Sequence, residues 1–338
     1  MSRIIPEFSG AGSEMQADPA SPYHEGEQAL QERTGMRDRL ERVGRKVIRD
    51  FMYDQHRELF EALPMLLVGS LDARQRPWAS ILTGRPGFIH TPDPHTLEVH
   101  ASIPYGDPLS GHLAPGAPLG LLGIELETRR RNRMNGRVIR SGEDGFAVRV
   151  EESFGNCPKY IQARQHEFVR DPASVAARRP VHREGPALSD NAARIVRGAD
   201  TFFIASAAPG QAGDMRVDIS HRGGKPGFVR LTADDDGAAL LTVPDFAGNF
   251  HFATLGNLAL HRRAGLLFVD FASGDLLSLT GETRIIWDGP EVDAFAGAQR
   301  LLQIRIDQGS WVENAVPLRW SAPVQEPHLA ATGKWNGS

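Results

Sequence analysis

The chain has 338 residues and a formal net charge of −4, with apolar and charged fractions of 41% and 24% that are ordinary for a globular protein. Single cores stop growing at roughly 250–300 residues, so this length indicates about two domains. The charge gives no reason to expect nucleic acid or a membrane as a partner. The single cysteine, Cys157, excludes an intrachain disulfide. Without a secretory signal or an apolar run of bilayer length, we expect a cytoplasmic protein.

Helical and extended segments alternate along the chain. Residues 1–22 are polar and without a clear period, whereas residues 25–63 carry apolar side chains at helical spacing until Pro64. Short apolar runs separated by Gly and Pro turns then predict antiparallel strands. We predict a lead-in with N-terminal helices (1–63), a first β-domain (64–155), a helical linker (156–198) with a helix over 160–168, a second β-domain (199–325) with a closing helix over 292–306, and a tail (326–338).

An internal repeat connects the two β-domains. The Pro-Gly-Phe motif at 85–88 returns at 225–228, and Ser80 and Ser220 precede the two copies at the same distance. Each β-domain also contains a matching apolar run, and Gly136 and Gly281 follow these runs at the same distance. Several matches in one order are far less expected by chance than a single match, so the sequence predicts a duplicated β-domain.

Two stretches of the second β-domain carry binding chemistry. Residues 220–230 form a glycine-rich turn flanked by Arg and Lys, a combination that binds phosphate through backbone amides and cations. Residues 240–258 lead a strand into a loop of Asn, His, Thr and Gly, which suits a ligand with many heteroatoms. An ordinary hairpin and a helix packed on the sheet are the alternatives. In the first β-domain, 100–109 has fewer amides, and the basic hairpin at 127–136 either binds phosphate or is solvated.

The chain lacks the common motifs of catalysis. We find no phosphate-binding loop, hydrolase elbow or zinc-helix motif, and the 12 histidines show no ligand spacing. Cys157 is interpreted as a packed or loop cysteine. The sequence therefore predicts no metal site and names no catalytic residue.

Residues 252–258, 263–268 and 279–281 resemble the strand–helix–strand core of the pyridoxamine 5'-phosphate oxidase family. Residues 155–162 and 220–230 are similar to the predicted flavin-nucleotide-binding proteins of that group. The resemblance implies a mainly β (α+β) chain of two tandem FMN-binding split β-barrels, with an N-terminal helical segment and connecting helices. It also implies FMN in a groove between two barrels, with its phosphate held by Arg, Lys and hydroxyl groups.

The resemblance further implies which residues contact the cofactor. Residues 252–254 read Phe-Ala-Thr where the vitamin-forming oxidases carry Ser-Arg-Lys, and no Arg-x-His motif follows, so pyridoxamine phosphate oxidation itself is not expected. The implied cofactor-binding residues are Ser220, Arg222, Lys225, Pro244, Asn249, Phe252, Thr254 and Asn257.

The resulting expectation is an FMN-dependent oxidoreductase, because a bound flavin carries the redox chemistry without a catalytic side chain. Its partners would be a small-molecule substrate or a nicotinamide donor, and the groove would form within one chain or in a homodimer. The alternatives are a non-catalytic flavin carrier, a deazaflavin (F420) enzyme, a scaffold that binds a protein without a cofactor, and a haem protein with His221, His251 or His261 as axial ligand.

Overall fold

The computed structural model describes residues 20–155, 157–210 and 214–335. Its N-terminal part is helical, as the apolar spacing predicts. The first helix has a capping box, in which the His24 side chain accepts from the backbone of Gly26 while Glu27 accepts from the backbone of His24. The helices are α1 (Glu25–Arg33), α2 (Arg37–Val47) and α3 (Asp54–Ala62).

A first antiparallel sheet follows the helices. Its spatial strand order is β2-β1-β5-β6-β7-β4-β3. The strands are β1 (Met65–Leu71), β2 (Pro77–Thr83), β3 (Ile89–Asp93), β4 (Thr96–Val99), β5 (Pro118–Glu125), β6 (Arg130–Gly142) and β7 (Gly145–Gly155).

The connection between the sheets contains the short strands β8 (His166–Phe168) and β9 (His182–Glu184) and the helix α4 (Asp190–Gly198). A second antiparallel sheet then forms, in the order β11-β10-β14-β15-β16-β13-β12. Its elements are β10 (Thr201–Pro209), β11 (Met215–Gly223), β12 (Arg230–Ala233), β13 (Ala239–Phe246), α5 (Ala253–Leu260), β14 (Arg263–Val269), β15 (Leu276–Ile286), α6 (Pro290–Asp293) and β16 (Ala298–Val312), followed by β17 (Leu318–Trp320), which pairs with β8.

The two sheets have the same strand order. Each strand of the second sheet occupies the place of the strand numbered nine lower in the first sheet. A register shift also falls at the same point, immediately before Gly136 in β6 and immediately before Gly281 in β15. The chain is therefore mainly β, with helices added to antiparallel sheets in an α+β arrangement.

The sheets pack against each other through β1, β2 and β5 on one side and β10, β11 and β14 on the other. Along β1, Leu66 and Val68 enter the core of the first sheet, whereas Leu67 joins a core shared with the second sheet. In β10, Ile204 enters the core of the second sheet and Phe203 joins the shared core. Because successive strand residues point to opposite faces, strands covered on both faces favour apolar residues on both. Both strands are therefore mostly apolar in the sequence, with the buried Ser70 and Ser206 as exceptions.

Two glycines at equivalent positions bring the sheets into backbone contact. A Cβ on Gly120 of β5 would lie 2.8 Å from the Cα of Asp218 in β11. A Cβ on Gly265 of β14 would lie 2.5 Å from the Cα of Trp78 in β2. No side chain fits at such distances, so the packing requires glycine at both positions.

The helices were also compared with the length and hydropathy that a membrane-spanning helix needs. Within 20–155, 157–210 and 214–335, no helix is both long enough and apolar enough to cross a lipid bilayer.

Two helices predicted from the sequence are wrong. Residues 160–168 form no helix: Tyr160 has a left-handed φ of 66°, and β8 pairs with β17. Residues 292–306 contain only the short α6 before the long strand β16. In β16 the buried Leu302, Ile304 and Ile306 alternate with more exposed polar residues, which is the period of a strand.

Candidate cofactor-binding cleft

One cleft takes side chains from both sheets. It is lined by β6 of the first sheet, by β11, β13, β16 and α5 of the second sheet with the loop 247–252, and by residues 157–160 between the sheets. Its cavity volume is about 120 Å³. We call this site the cationic cleft, because it is lined by Arg131, Arg133, Lys159, Arg222 and Arg300.

The structure brings most of the predicted cofactor residues together. Lys225 lies elsewhere, with its Nζ donating to the carbonyl of Thr332 at 2.6 Å. Asn257 also lies outside the cleft, where its Oδ1 accepts a hydrogen bond from Nε2 of His24 at 2.8 Å and its Nδ2 donates to Ser206 at 3.0 Å. The six that line the cleft are Ser220, Arg222, Pro244, Asn249, Phe252 and Thr254.

The charges in the cleft are poorly compensated. Asp245 is the one carboxylate among the described lining residues. It accepts a hydrogen bond from Arg222, and its Oδ2 lies 3.5 Å from Nε of Arg300. Buried nitrogens of Arg222 (Nε) and Arg300 (Nε and Nη1) find no hydrogen-bond partner among the described residues. Unpaired buried donors are costly, and an anion in the cleft would offset the excess positive charge of these guanidinium groups.

The positive field perturbs neighbouring ionisable groups. Burial, together with the charges of Arg133 and Arg222, lowers the pKa of Arg131 to about 9. Burial and the charges of Arg131 and Arg222 hold the pKa of His221 well below its ordinary value. His221 is therefore neutral at physiological pH, and its buried Nε2 has no hydrogen-bond partner among the described residues.

A helix begins at the cleft. Ala253 and Thr254 of α5 line it, and the N-terminus of α5 has no side-chain cap. The first N–H groups of a helix lack intrahelical partners, and their dipole favours negative charge. The loop before α5 contains left-handed Phe250 and Phe252, with φ of 60° and 62°. Such backbone strain in non-glycine residues concentrates at functional sites.

The first sheet contributes to the cleft through a buried ion pair. Nη1 of Arg133 lies 2.9 Å and 3.1 Å from the two carboxylate oxygens of Asp218, and Nη2 donates to Ser220. Arg133 belongs to β6, whereas Asp218 and Ser220 belong to β11. The pair therefore fixes one sheet against the other at the wall of the cleft.

The three histidines considered as haem ligands lie in different surroundings. His221 lines the cationic cleft. Nδ1 of His251 is 2.9 Å from the hydroxyl of the buried Tyr23, in a separate small chamber under α1. Nε2 of His261 is 2.9 Å from the carbonyl of Gln75. Only His221 therefore combines a place in the cleft with an unpaired ring nitrogen in the described structure.

Sequence reasoning missed two of the cations. Arg300 was hidden because its segment was interpreted as a helix, so its place beside Asp245 was not visible. Lys159 sits in a connection without a regular period. The sequence predicts that the basic hairpin at 127–136 either binds phosphate or is solvated, and Arg131 and Arg133 are its members that line the cleft.

Comparisons with known proteins find solved structures of low similarity. No protein-family model and no curated protein sequence matches the chain. Similar solved structures include HupZ from Group A Streptococcus (13% identity, 36% of this chain and 90% of that chain, TM-score 0.28). Others are the haem storage protein HutZ from Vibrio cholerae (11%, 38% and 95%, 0.25) and a haem-binding protein from Mycobacterium smegmatis (17%, 43% and 62%, 0.20). TM-scores this low do not establish a shared fold.

Proposed function

We propose that the cationic cleft binds FMN and that the protein is an FMN-dependent oxidoreductase acting on a small substrate. One observation carries the proposal: buried guanidinium N–H groups of Arg222 and Arg300 without partners lie in the same cleft as the uncapped start of α5. Both features favour a phosphate group. The cation-rich lining also argues against a cofactor-free scaffold.

The lining residues fit the two parts of FMN. Arg222, Arg300 and the first N–H groups of α5 would hold the phosphate, with the hydroxyl of Thr254 nearby. The rings of Tyr160 and Phe246, with centroids 5.1 Å apart, offer an apolar wall for a planar ring system. Asn249 adds an exposed amide to the cleft for the polar atoms of the ligand.

When bound, a flavin supplies hydride or single-electron transfer. The protein's part is to bind and orient it. His221, neutral because of its lowered pKa, offers one unpaired nitrogen, Nε2, as a hydrogen-bond donor or acceptor. The ion pair between Arg133 and Asp218 holds the two sheets together beside the ligand.

We propose further that the two sheets are tandem split barrels that arose by duplication. Their common strand order and the equivalent glycines at their interface support this. Because β6 of the first sheet and β11 of the second both line the cleft, one chain supplies both walls. We therefore expect one flavin for each chain and no need for a homodimer.

A visible absorption spectrum of the purified protein tests the function. After FMN is added and the excess removed, we expect flavin bands at about one equivalent per chain. Arg222→Ala should weaken retention at least tenfold, since charge-assisted hydrogen bonds contribute about 1.5–3 kcal/mol. Arg284→Ala, which removes an exposed arginine of β15, is the matched control. A wild-type protein that retains no flavin would overturn the proposal.

Haem is the second candidate, and His221 is the observation that favours it. A neutral imidazole with a free Nε2 is a suitable axial ligand, and the arginines of the cleft would pair with the propionates. A Soret band that is lost in His221→Ala would identify this case. Mass spectrometry of the released cofactor separates FMN from F420.

A further inference from the structure

The cations of the cationic cleft fall into two groups. Arg222 of β11 and Arg300 of β16 share the carboxylate of Asp245. Arg131 of β6 and Lys159, in the connection after the first sheet, have no carboxylate partner among the described residues. The second group therefore leaves more positive charge uncompensated than the first.

Arg131 is held in place by the backbone. Its Nε donates to the carbonyl of Cys157 at 2.8 Å, which fixes the guanidinium, while its Nη groups form no hydrogen bond or ion pair with a described residue. Lys159 follows Cys157 by two residues, lines the same cleft and forms no hydrogen bond or ion pair in the described structure. A fixed guanidinium and a free ammonium in one cleft are a combination that binds carboxylates and phosphates.

The surroundings of Arg131 contain no spare counter-charge. Arg133 and Arg222 are its cationic neighbours, and burial adds to their effect by lowering its pKa. Asp218 is a carboxylate whose charge acts on it, but both oxygens of Asp218 already accept from Arg133. A bound anion would provide the missing compensation.

We propose that Arg131 and Lys159 form a second anion subsite, which binds the carboxylate or phosphate of a small substrate while Arg222 and Arg300 hold the cofactor phosphate. The identity of the first ligand rests on the proposed function, whereas the existence of two anion subsites does not. The proposal assigns to this protein an anionic substrate class.

Inorganic phosphate is the probe that counts the subsites. Concentrated flavin-free protein is dialysed to equilibrium against labelled phosphate, and we expect two phosphates per chain at saturation. The double variant Arg131→Gln/Lys159→Gln should bind one, with at least a tenfold loss of affinity at the second subsite. Added FMN should displace one phosphate from the wild type and leave the other bound.

Two variants guard against a folding artefact. Lys159→Gln alone removes no described contact, so the variant should fold normally. Its affinity for phosphate at the second subsite should fall at least threefold. The control Arg39→Gln/Lys46→Gln removes the same charges from exposed positions on α2 and should still bind two phosphates.

The outcomes separate the two proposals. One phosphate per wild-type chain, or two in the Arg131→Gln/Lys159→Gln variant, would overturn the second subsite. Two phosphates that FMN does not displace would support the second subsite and count against FMN as the ligand of the first.

Discussion

The cationic cleft beside β6 has a counterpart beside β15, the equivalent strand, and the two differ in charge and size. Counting back from the equivalent glycines Gly136 and Gly281, Arg133 corresponds to Ser278, and Arg131 to Leu276. Both Leu276 and Ser278 line a small cavity, which we call the counterpart cavity. Its volume is about 10 Å³, against about 120 Å³ for the cationic cleft.

The β2 strand differs from β11 in the same way. His221 and Arg222 of β11 correspond to Ile81 and Leu82 of β2, two buried apolar residues. Ser220 receives a hydrogen bond from Arg133, whereas its equivalent Ser80 donates to Asp107 at 2.5 Å. The shared fold therefore does not require the cations. Since buried charges are costly, their presence on one side supports the proposed anion binding there.

Of the changes that test this difference in charge, the removal of Arg300 should have the largest effect on FMN affinity. Arg300→Gln deletes a buried cation with two nitrogens that form no hydrogen bond in the described structure, and we expect FMN affinity to fall about 100-fold, near the upper end for charge-assisted hydrogen bonds. Arg149→Gln on β7, the equivalent of β16, changes an exposed arginine and should leave binding unchanged. Fluorescence titration with FMN measures both. Equal losses in the two variants would contradict the assignment.

The equivalent glycines at the sheet interface offer a second test. Gly120→Ala and Gly265→Ala should each cost about 1–3 kcal/mol of unfolding free energy, because a Cβ would collide with backbone of the other sheet. Gly120 abuts Asp218, which pairs with Arg133, so only Gly120→Ala should also weaken FMN binding, about threefold to tenfold. Denaturant unfolding and FMN titration separate the effects. Weaker binding in both variants would contradict this local coupling.

The sequence predicts the fold better than the site, for a physical reason. Strand texture and N-terminal helices follow from local periodicity, and the mainly β, α+β class is confirmed. The long strand β16 was missed because its alternation, visible at Leu302 and Ile304, was interpreted with a helical period. The cofactor assignment of Lys225 and Asn257 remains a prediction, although the structure places both outside the cleft.

Arg131 shows why the rest of the site was harder to predict. It lies in one repeat and its charged neighbour Arg222 in the other, so their proximity arises from sheet packing. No spacing along the chain encodes that packing.

The counterpart cavity should respond to pH through Asp107. Burial raises its pKa to about 6, so the folded state favours the neutral carboxyl. This contribution to stability is present below the unfolded value of 3.8 and is lost as the pH rises through about 6. Asp107→Asn, which keeps the shape, should therefore be about 1–2 kcal/mol more stable than wild type at pH 8. The advantage should vanish at pH 4, and a constant difference in unfolding free energy at both pH values would contradict it.

The smallest effect concerns Asp245, which occupies the position of a counter-ion in the cationic cleft. Its carboxylate pairs with Arg222 and lies beside Arg300, so a phosphate must compete with it. Asp245→Asn keeps the shape but removes the competing charge, and we expect FMN to bind about threefold tighter at low salt. Salt screens such interactions, so the gain should shrink as ionic strength rises.

Riboflavin, which lacks the phosphate, is the control ligand for Asp245→Asn. Its affinity should be the same in wild type and variant, because the competition concerns only the anionic group. If the variant binds riboflavin more tightly by the same factor as FMN, Asp245 acts on the shape of the cleft. If FMN binds more weakly, Asp245 orients the two guanidinium groups, and the charge of Arg300 alone does not determine where the phosphate binds.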